Sequence, residues 1–177
     1  MKKKMLSIFS ALLIAILMTS TAGARGVIIL SANFSLGSLI ANGTVSSRGQ
    51  GNAALTLVLD ATGIPAITCT NNGENDVPGQ SFPRISASGR QDLNGDDLLK
   101  KGKTPFSVET VDPTTIAWDA AGCPSSNWTA RIDFIYWTNA TISVYDTTTT
   151  PWTLLKRQDY LCTTTHDPDS VTCTLIN

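Results

Sequence analysis

The feature that most constrains the fold is a stretch of alternating residues from Thr129 to Asp146 (TARIDFIYWTNATISVYD). Its even positions are nearly all apolar and its odd positions are mostly polar. β-Branched and aromatic residues, which favour strands, dominate throughout. A period of two residues predicts a β-strand with one face on a core and the other on solvent or a partner. We therefore expect the rest of the chain to form sheets around this strand.

An unbroken strand of this length would be unusual in a globular domain, so we expect a bulge or bend near Thr138–Ala140. The parity of the apolar residues is the same before and after that point, which argues against a two-residue hairpin turn there. On this parity Phe134 and Tyr136 belong to the core. The opposite face carries three large side chains, Ile135, Trp137 and Tyr145.

These three residues are the candidate binding residues of the chain. Exposed aromatic and aliphatic side chains on a flat sheet can stack on sugar rings or anchor a protein partner. The alternative is that a second sheet, a loop or Trp152 covers them, so that both faces of the strand are buried.

The remaining apolar segments are typical of short strands separated by turns. Two strands are expected within 27–47 with a break at Gly37, and another at 53–61 that ends in a turn at Thr62–Gly63. A long surface loop is expected at 71–83. Further strands are expected at 64–70, 84–90, 104–111, 116–118 and 152–162. The inward-facing residues of the predicted strands are Leu55, Leu57, Leu59, Ile85, Ala87, Phe106 and Val108.

A short helical turn is expected only within 91–103, and the chain shows no amphipathic helix and no internal repeat. We therefore predict an all-β fold, an antiparallel β-sandwich of about eight strands with immunoglobulin-like or jelly-roll-like architecture.

The N-terminus has the three parts of a secretory signal peptide. Lys2–Lys4 are basic, Met5–Met18 form an apolar segment too short for a comfortable membrane span, and Ala22-Gly23-Ala24 is a small-residue cleavage site. We predict a signal peptide at 1–24 and a single domain at 25–177, exported to the extracellular space or a periplasm, with no membrane span after cleavage. An uncleaved anchor is the alternative, and only the apolar residues Val27–Leu30 support it.

Four cysteines in an exported chain predict two disulfides. Cys162 and Cys173 flank a turn sequence, Asp167-Pro168-Asp169-Ser170, that would fold the segment back and bring the two sulfurs together. Cys69 and Cys123 are then left to pair with each other. A metal site is the rival interpretation, but the chain has no Cys-x-x-Cys and a single histidine, so no metal and no other cofactor is expected.

Charge and composition argue against nucleic acid as a partner. Without the three N-terminal lysines, ten basic residues face fourteen acidic ones, and no basic stripe is present. An irregular calcium loop at Asp92–Asp97 or Asn72–Asp76 stays open, although neither follows the regular spacing of oxygen ligands.

Catalytic groups are scarce, and no residue is nominated as catalytic. The only histidine, His166, lies in the predicted hairpin turn, and no Gly-x-Ser-x-Gly motif provides a nucleophile. Glu109 and Asp133 could form an acidic cleft, but a surface ion pair between Asp133 and Arg131 is the simpler expectation.

Three functions remain open at this stage. The first is a non-catalytic extracellular binding or surface-interaction module for a glycan or a protein surface. The second is a small secreted hydrolase that uses acidic residues. The third is a self-assembling structural subunit that adds strands along the apolar edge Val27–Leu30.

Overall fold

The computed structural model describes residues 26–36, 38–48, 54–93 and 102–176. The predicted signal peptide and most of the predicted helical turn lie outside these residues. About 72% of the described chain is β-strand, without any helix. In chain order the strands are β1 (Gly26–Ser35), β2 (Ile40–Arg48), β3 (Leu55–Asn71), β4 (Asp76–Pro78), β5 (Ile85–Leu93), β6 (Lys103–Glu109), β7 (Thr115–Ile116), β8 (Trp128–Asp146), β9 (Thr153–His166) and β10 (Asp169–Ile176).

The strands form two antiparallel sheets, as predicted. The small sheet has the order β1-β2-β6. The large sheet has the order β10-β9-β8-β3, and the far edge of β3 pairs with β5 along one half and with β4 near the other end. β7 pairs with β8 at two residues only. No helix among the described residues is long and apolar enough to cross a bilayer.

Strands β3 and β8 form the central ribbon of the molecule, paired from Leu55↔Asp146 to Asn71↔Trp128. One half of this ribbon packs against the small sheet to form the main core. The predicted inward residues are buried in this core, except Ile85, which is partly buried. The small sheet contributes Val27, Ile29, Ala41, Val45, Phe106 and Val108 to the core, and the large sheet contributes Leu55, Leu57, Leu59, Ala87, Trp137, Ile142 and Val144.

Two bulges break the alternation of β8. The register with β3 shifts between Ile132 and Phe134, and again between Trp137 and Asn139. The bulge predicted near Thr138 is therefore confirmed, but a second one at Asp133 was not expected. Each extra residue inverts the faces of the strand, so the segment between the bulges has the opposite orientation to the one predicted.

The inversion reverses the predicted placement of four side chains. Ile135 and Trp137 lie in the main core, and Trp137 is the largest fully buried side chain of the molecule's described part. Phe134 is only half-buried and Tyr136 is exposed. The expected core position of Phe134 and Tyr136 is thus wrong, as is the expected outward position of Ile135 and Trp137.

Gly63 explains why β3 continues through the predicted turn at Thr62–Gly63. It pairs with Trp137, and a Cβ at this position would lie 2.6 Å from Ile135 Cγ2 and 2.8 Å from the Tyr136 carbonyl oxygen. The glycine therefore permits close approach of β3 and β8 at a packed site, and it does not end the strand.

The structure contains two disulfides, and both predicted pairings are confirmed. Cys69–Cys123 ties the distal half of β3 to the loop before β8, where a second cluster buries Ile67, Ala121 and Ala130. Cys162–Cys173 joins directly paired residues of β9 and β10, which form the predicted hairpin around Asp167–Pro168.

Candidate functional site

The outer face of the large sheet, which points away from the small sheet, carries a regular grid of side chains. Its central row consists of Ser88, Asp60, Thr141 and Asp159, which are direct partners across β5, β3, β8 and β9. Neighbouring strands are about 4.8 Å apart, so these four side chains form one continuous polar row. The row is built by the same alternation that buries the leucines of β3 on the opposite face.

A depression of about 360 Å³ lies in the middle of this grid. We call it the trough, and define it by the side chains of Asp60, Thr62, Ser86, Ser88, Asn139 and Thr141, which line it together with three alanines. All six side chains are short, whereas the registers place the longer Arg90, Arg157 and Leu161 beside them. The trough begins next to the bulge at Thr138, where the twist of a sheet is locally increased.

Charged groups occupy one side of the trough. Thr141 Oγ1 donates to Asp159 Oδ1 at 2.7 Å, and Arg157 Nη2 lies 2.9 Å from the same oxygen. The hydrogen bond from Arg157, followed by that from Thr141, lowers the pKa of Asp159. The carboxylate is therefore held ionised as an acceptor at neutral pH, with Arg157 beside it as a donor.

An aromatic pair stands at one end of the grid. The rings of Tyr145 and Trp152 are 6.2 Å apart between centroids, and Trp152 is 48% exposed. Tyr145 follows Thr141 by four residues on the same face, which corresponds to about 13 Å along the strand. A ligand that extends from the trough along β8 would therefore reach an exposed indole ring.

The structure does not bring the three sequence-predicted binding residues together. Ile135 and Trp137 are buried in the core, and only Tyr145 lies on the outer face, partly covered. The predicted binding role required exposed side chains, and Ile135 and Trp137 are not exposed. The trough was missed because its residues come from three separate strands, and only the registers show that they are neighbours.

The acidic and histidine candidates do not assemble into catalytic machinery. Asp133 accepts hydrogen bonds from Arg131 Nε at 2.8 Å and from the Thr68 hydroxyl, so its two oxygens are engaged. His166 Nδ1 lies 2.8 Å from Asp169 Oδ1 at the hairpin tip. Across the described chain, no three His, Cys, Asp or Glu side chains are grouped so as to hold a metal ion.

Comparisons with protein-family models, characterised proteins and solved structures found no match for this chain.

Proposed function

We propose that this protein is an exported, non-catalytic binding module that holds a carbohydrate on the outer face of its large sheet. The observation that carries the proposal is the trough, a depression of about 360 Å³ whose exposed side chains are hydroxyl, amide and carboxylate groups. The export prediction and the two disulfides support a role outside the reducing interior of a cell.

The trough matches the chemistry of a sugar. Serine and threonine hydroxyls and the Asn139 amide both donate and accept hydrogen bonds, while Asp60 only accepts when ionised. A ring that carries many hydroxyls needs this mixture, because each of its own hydroxyls also donates and accepts. The Trp152 indole offers an apolar face for the C–H surface of a further ring. Short side chains leave the space that the ring itself would fill.

The surroundings of Asp159 make it a poor general acid. Glycoside cleavage requires one carboxyl group that stays protonated to act as a general acid. Asp60 and Asp159 flank Thr141 in the central row, but Arg157 and Thr141 lower the pKa of Asp159 and so hold it in the unprotonated form. Asp159 is therefore not suited to protonate a ligand, and its two oxygens already accept hydrogen bonds from Thr141 and Arg157.

A glycan array probed with the disulfide-bonded chain 25–177 tests the proposal, followed by calorimetry with the best ligand. Asp60→Asn should weaken binding about ten- to hundredfold, the usual effect of removing a hydrogen bond to a charged group. Trp152→Ala should weaken binding of oligosaccharides more than of monosaccharides, since the indole lies beyond the trough. Trp118→Ala is the matched control, because Trp118 is also exposed but lies in the loop before β8.

Two results would contradict the proposal. One is an array on which no glycan binds above background. The other is a bound glycan whose affinity is the same for Asp60→Asn, Trp152→Ala and the parent chain, which would place its site elsewhere.

A second candidate function is self-assembly, and it rests on strand β1. Within the described residues β1 pairs only with β2, so no strand is hydrogen-bonded to its other edge, although β1 also lies near β9 and β10. None of its ten residues is charged or proline, and Ile28 and Leu30 are about half exposed. Natural edge strands are usually protected by charge or proline, so this edge can accept a strand from another copy. Sedimentation velocity over a range of concentrations tests it: Ile28→Lys should abolish any association, and a parent chain that stays monomeric excludes it.

A further inference from the structure

A gap interrupts the edge of β8 just before the bulge at Thr138, next to the trough. This edge pairs with β7 at Ala130 and Arg131, and with β9 from Asn139 onward. Between them, the described chain provides no strand partner for residues 134–137. Thr164 Oγ1 donates to the Trp137 carbonyl oxygen at 3.1 Å, so one end of the gap is closed by a side chain and not by a backbone ladder.

A pocket of about 160 Å³ lies at the other end of the gap, where residues 112–114 pass the edge of β8. Pro113, Ile132, Phe134 and Ile135 provide apolar walls. Phe134 lines the pocket because the bulge at Asp133 turns it away from the core. Its ring is held by contacts with the rings of His166 and Tyr136, at centroid distances of 4.6 and 5.0 Å.

The acidic group of the pocket is Asp112, and its position is fixed by a buried hydroxyl. Thr110 is buried, and its Oγ1 accepts a hydrogen bond from the Leu39 N–H at 3.0 Å. The single proton of that hydroxyl is then donated to Asp112 Oδ1. Within the described residues Asp112 has no cationic partner, and its Oδ2 has no hydrogen bond. The other carboxylate of the pocket, Asp133, is already neutralised by Arg131.

The pocket thus combines an unpaired carboxylate oxygen, an aromatic ring and apolar walls. We propose that it binds a lysine side chain of a partner protein, with the alkyl chain against Pro113 and Phe134 and the ammonium on Asp112 Oδ2. Lysine buries its methylene stem against apolar surface and carries a compact charge that is attracted by carboxylates and aromatic faces.

Two other cationic ligands fit this pocket less well. A guanidinium binds a carboxylate best through both oxygens at once, and one oxygen of Asp112 already accepts the Thr110 hydrogen bond. An amino sugar would place some of its hydroxyls against Pro113 and Phe134, where they would lose hydrogen bonds to water. The proposed site is separate from the trough, and neither depends on the other.

An NMR titration of the disulfide-bonded chain with N-acetyl-lysine methylamide tests the proposal. Backbone amide shifts should move at residues 112, 114 and 132–135 and stay unchanged at the trough. N-acetyl-norleucine methylamide, which lacks the ammonium, should bind about ten- to hundredfold more weakly, as expected for loss of a charged hydrogen bond. Arginine and glucosamine derivatives should also bind more weakly than lysine.

Variants at the two sites should act independently. Asp112→Asn should weaken lysine binding about ten- to hundredfold, and Phe134→Leu, which keeps an apolar wall, about two- to fivefold. Asp60→Asn, in the trough, should leave lysine binding unchanged. Equal affinity for lysine and norleucine, unchanged affinity in a folded Asp112→Asn variant, stronger binding of glucosamine, or no shift at tens of millimolar lysine would each overturn the proposal.

Discussion

Truncation of Trp137 is the most direct test of the inverted segment of β8. The side chain is only 1% exposed and is packed among residues of both sheets. An aromatic side chain buries 150–250 Å² or so, which at about 25 cal/mol per Å² corresponds to roughly 4–6 kcal/mol as an upper estimate. Measured losses for Trp→Ala in cores are about 3–5 kcal/mol. We therefore expect Trp137→Ala to lower the free energy of unfolding by about 4 kcal/mol.

Trp152→Ala provides a control with the same chemical change. Trp152 is half exposed and packs mainly against Tyr145, so its loss should lower the free energy of unfolding by about 1 kcal/mol or less. Both variants are compared with the parent chain in urea titrations followed by circular dichroism, at matched m-values. Phe134→Ala, on the outward side of the same segment, should resemble Trp152→Ala.

Equal effects of Trp137→Ala and Trp152→Ala would contradict the buried position of Trp137. A larger loss of stability for Phe134→Ala than for Trp137→Ala would contradict the inverted segment, because it would restore the simple alternation from Thr129 to Asp146.

Three further predictions concern other parts of the fold. Gly89→Ala should lower the free energy of unfolding by at least about 2 kcal/mol, because the new Cβ would lie 1.8 Å from the Glu109 carbonyl oxygen. A variant as stable as the parent chain in urea titrations would contradict the close approach of β5 to this backbone. Replacing Cys69 and Cys123 by serine should lower the free energy of unfolding by about 4 kcal/mol, and replacing Cys162 and Cys173 by about 3 kcal/mol, because the first pair closes the longer loop. In thermal melts, the first double variant should therefore show the larger drop in melting temperature. Burial raises the pKa of Asp112, despite the opposing hydrogen bond from Thr110. The folded state therefore binds this proton more tightly than the unfolded state, and the contribution of Asp112 to stability should fall as the pH rises from the unfolded pKa through the folded one. Asp112→Asn should remove this pH dependence of stability and should not destabilise the protein at pH 7. A difference in stability between the variant and the parent chain that stays constant from pH 3 to pH 7 would be inconsistent with the raised pKa.

The sequence predicts the core strands where alternation is regular. Leu55, Leu57 and Leu59 are buried as expected, and so are Phe106 and Val108. These strands are short or straight over the predicted part, so parity alone fixes the buried face. The disulfide pairing was also predictable, because a hairpin turn brings two of the four cysteines together and leaves one possible partner for each of the others.

The faces of β8 between its bulges were not predictable by the same means. Within 132–138 both the even-numbered and the odd-numbered residues include large apolar side chains. A strict period of two and a strand with two bulges therefore explain the sequence equally well. Gly63 was similarly ambiguous, because glycine serves both turns and close contacts between strands. Only the pairing with Trp137 decides the choice, and that contact joins residues far apart in the chain.

The trough could not be predicted for a different reason. Thr62, Ser88 and Thr141 are ordinary outward-facing residues when each strand is considered alone. Their importance lies in the registers between β5, β3 and β8, which depend on where each hairpin turns.

The two bulges of β8 also define how distant relatives of this chain could be recognised. The inward positions that follow Ala130 and Ile132 are Ile135, Trp137 and Ala140, so the spacing is two, three, two and three residues. A relative that keeps the fold must keep these steps of three, since loss of one would move Trp137 to solvent. It can replace most of the residues between them. An alignment scored on this spacing of inward residues, together with a glycine paired with the buried tryptophan as Gly63 is with Trp137, would detect common ancestry after overall identity has been lost.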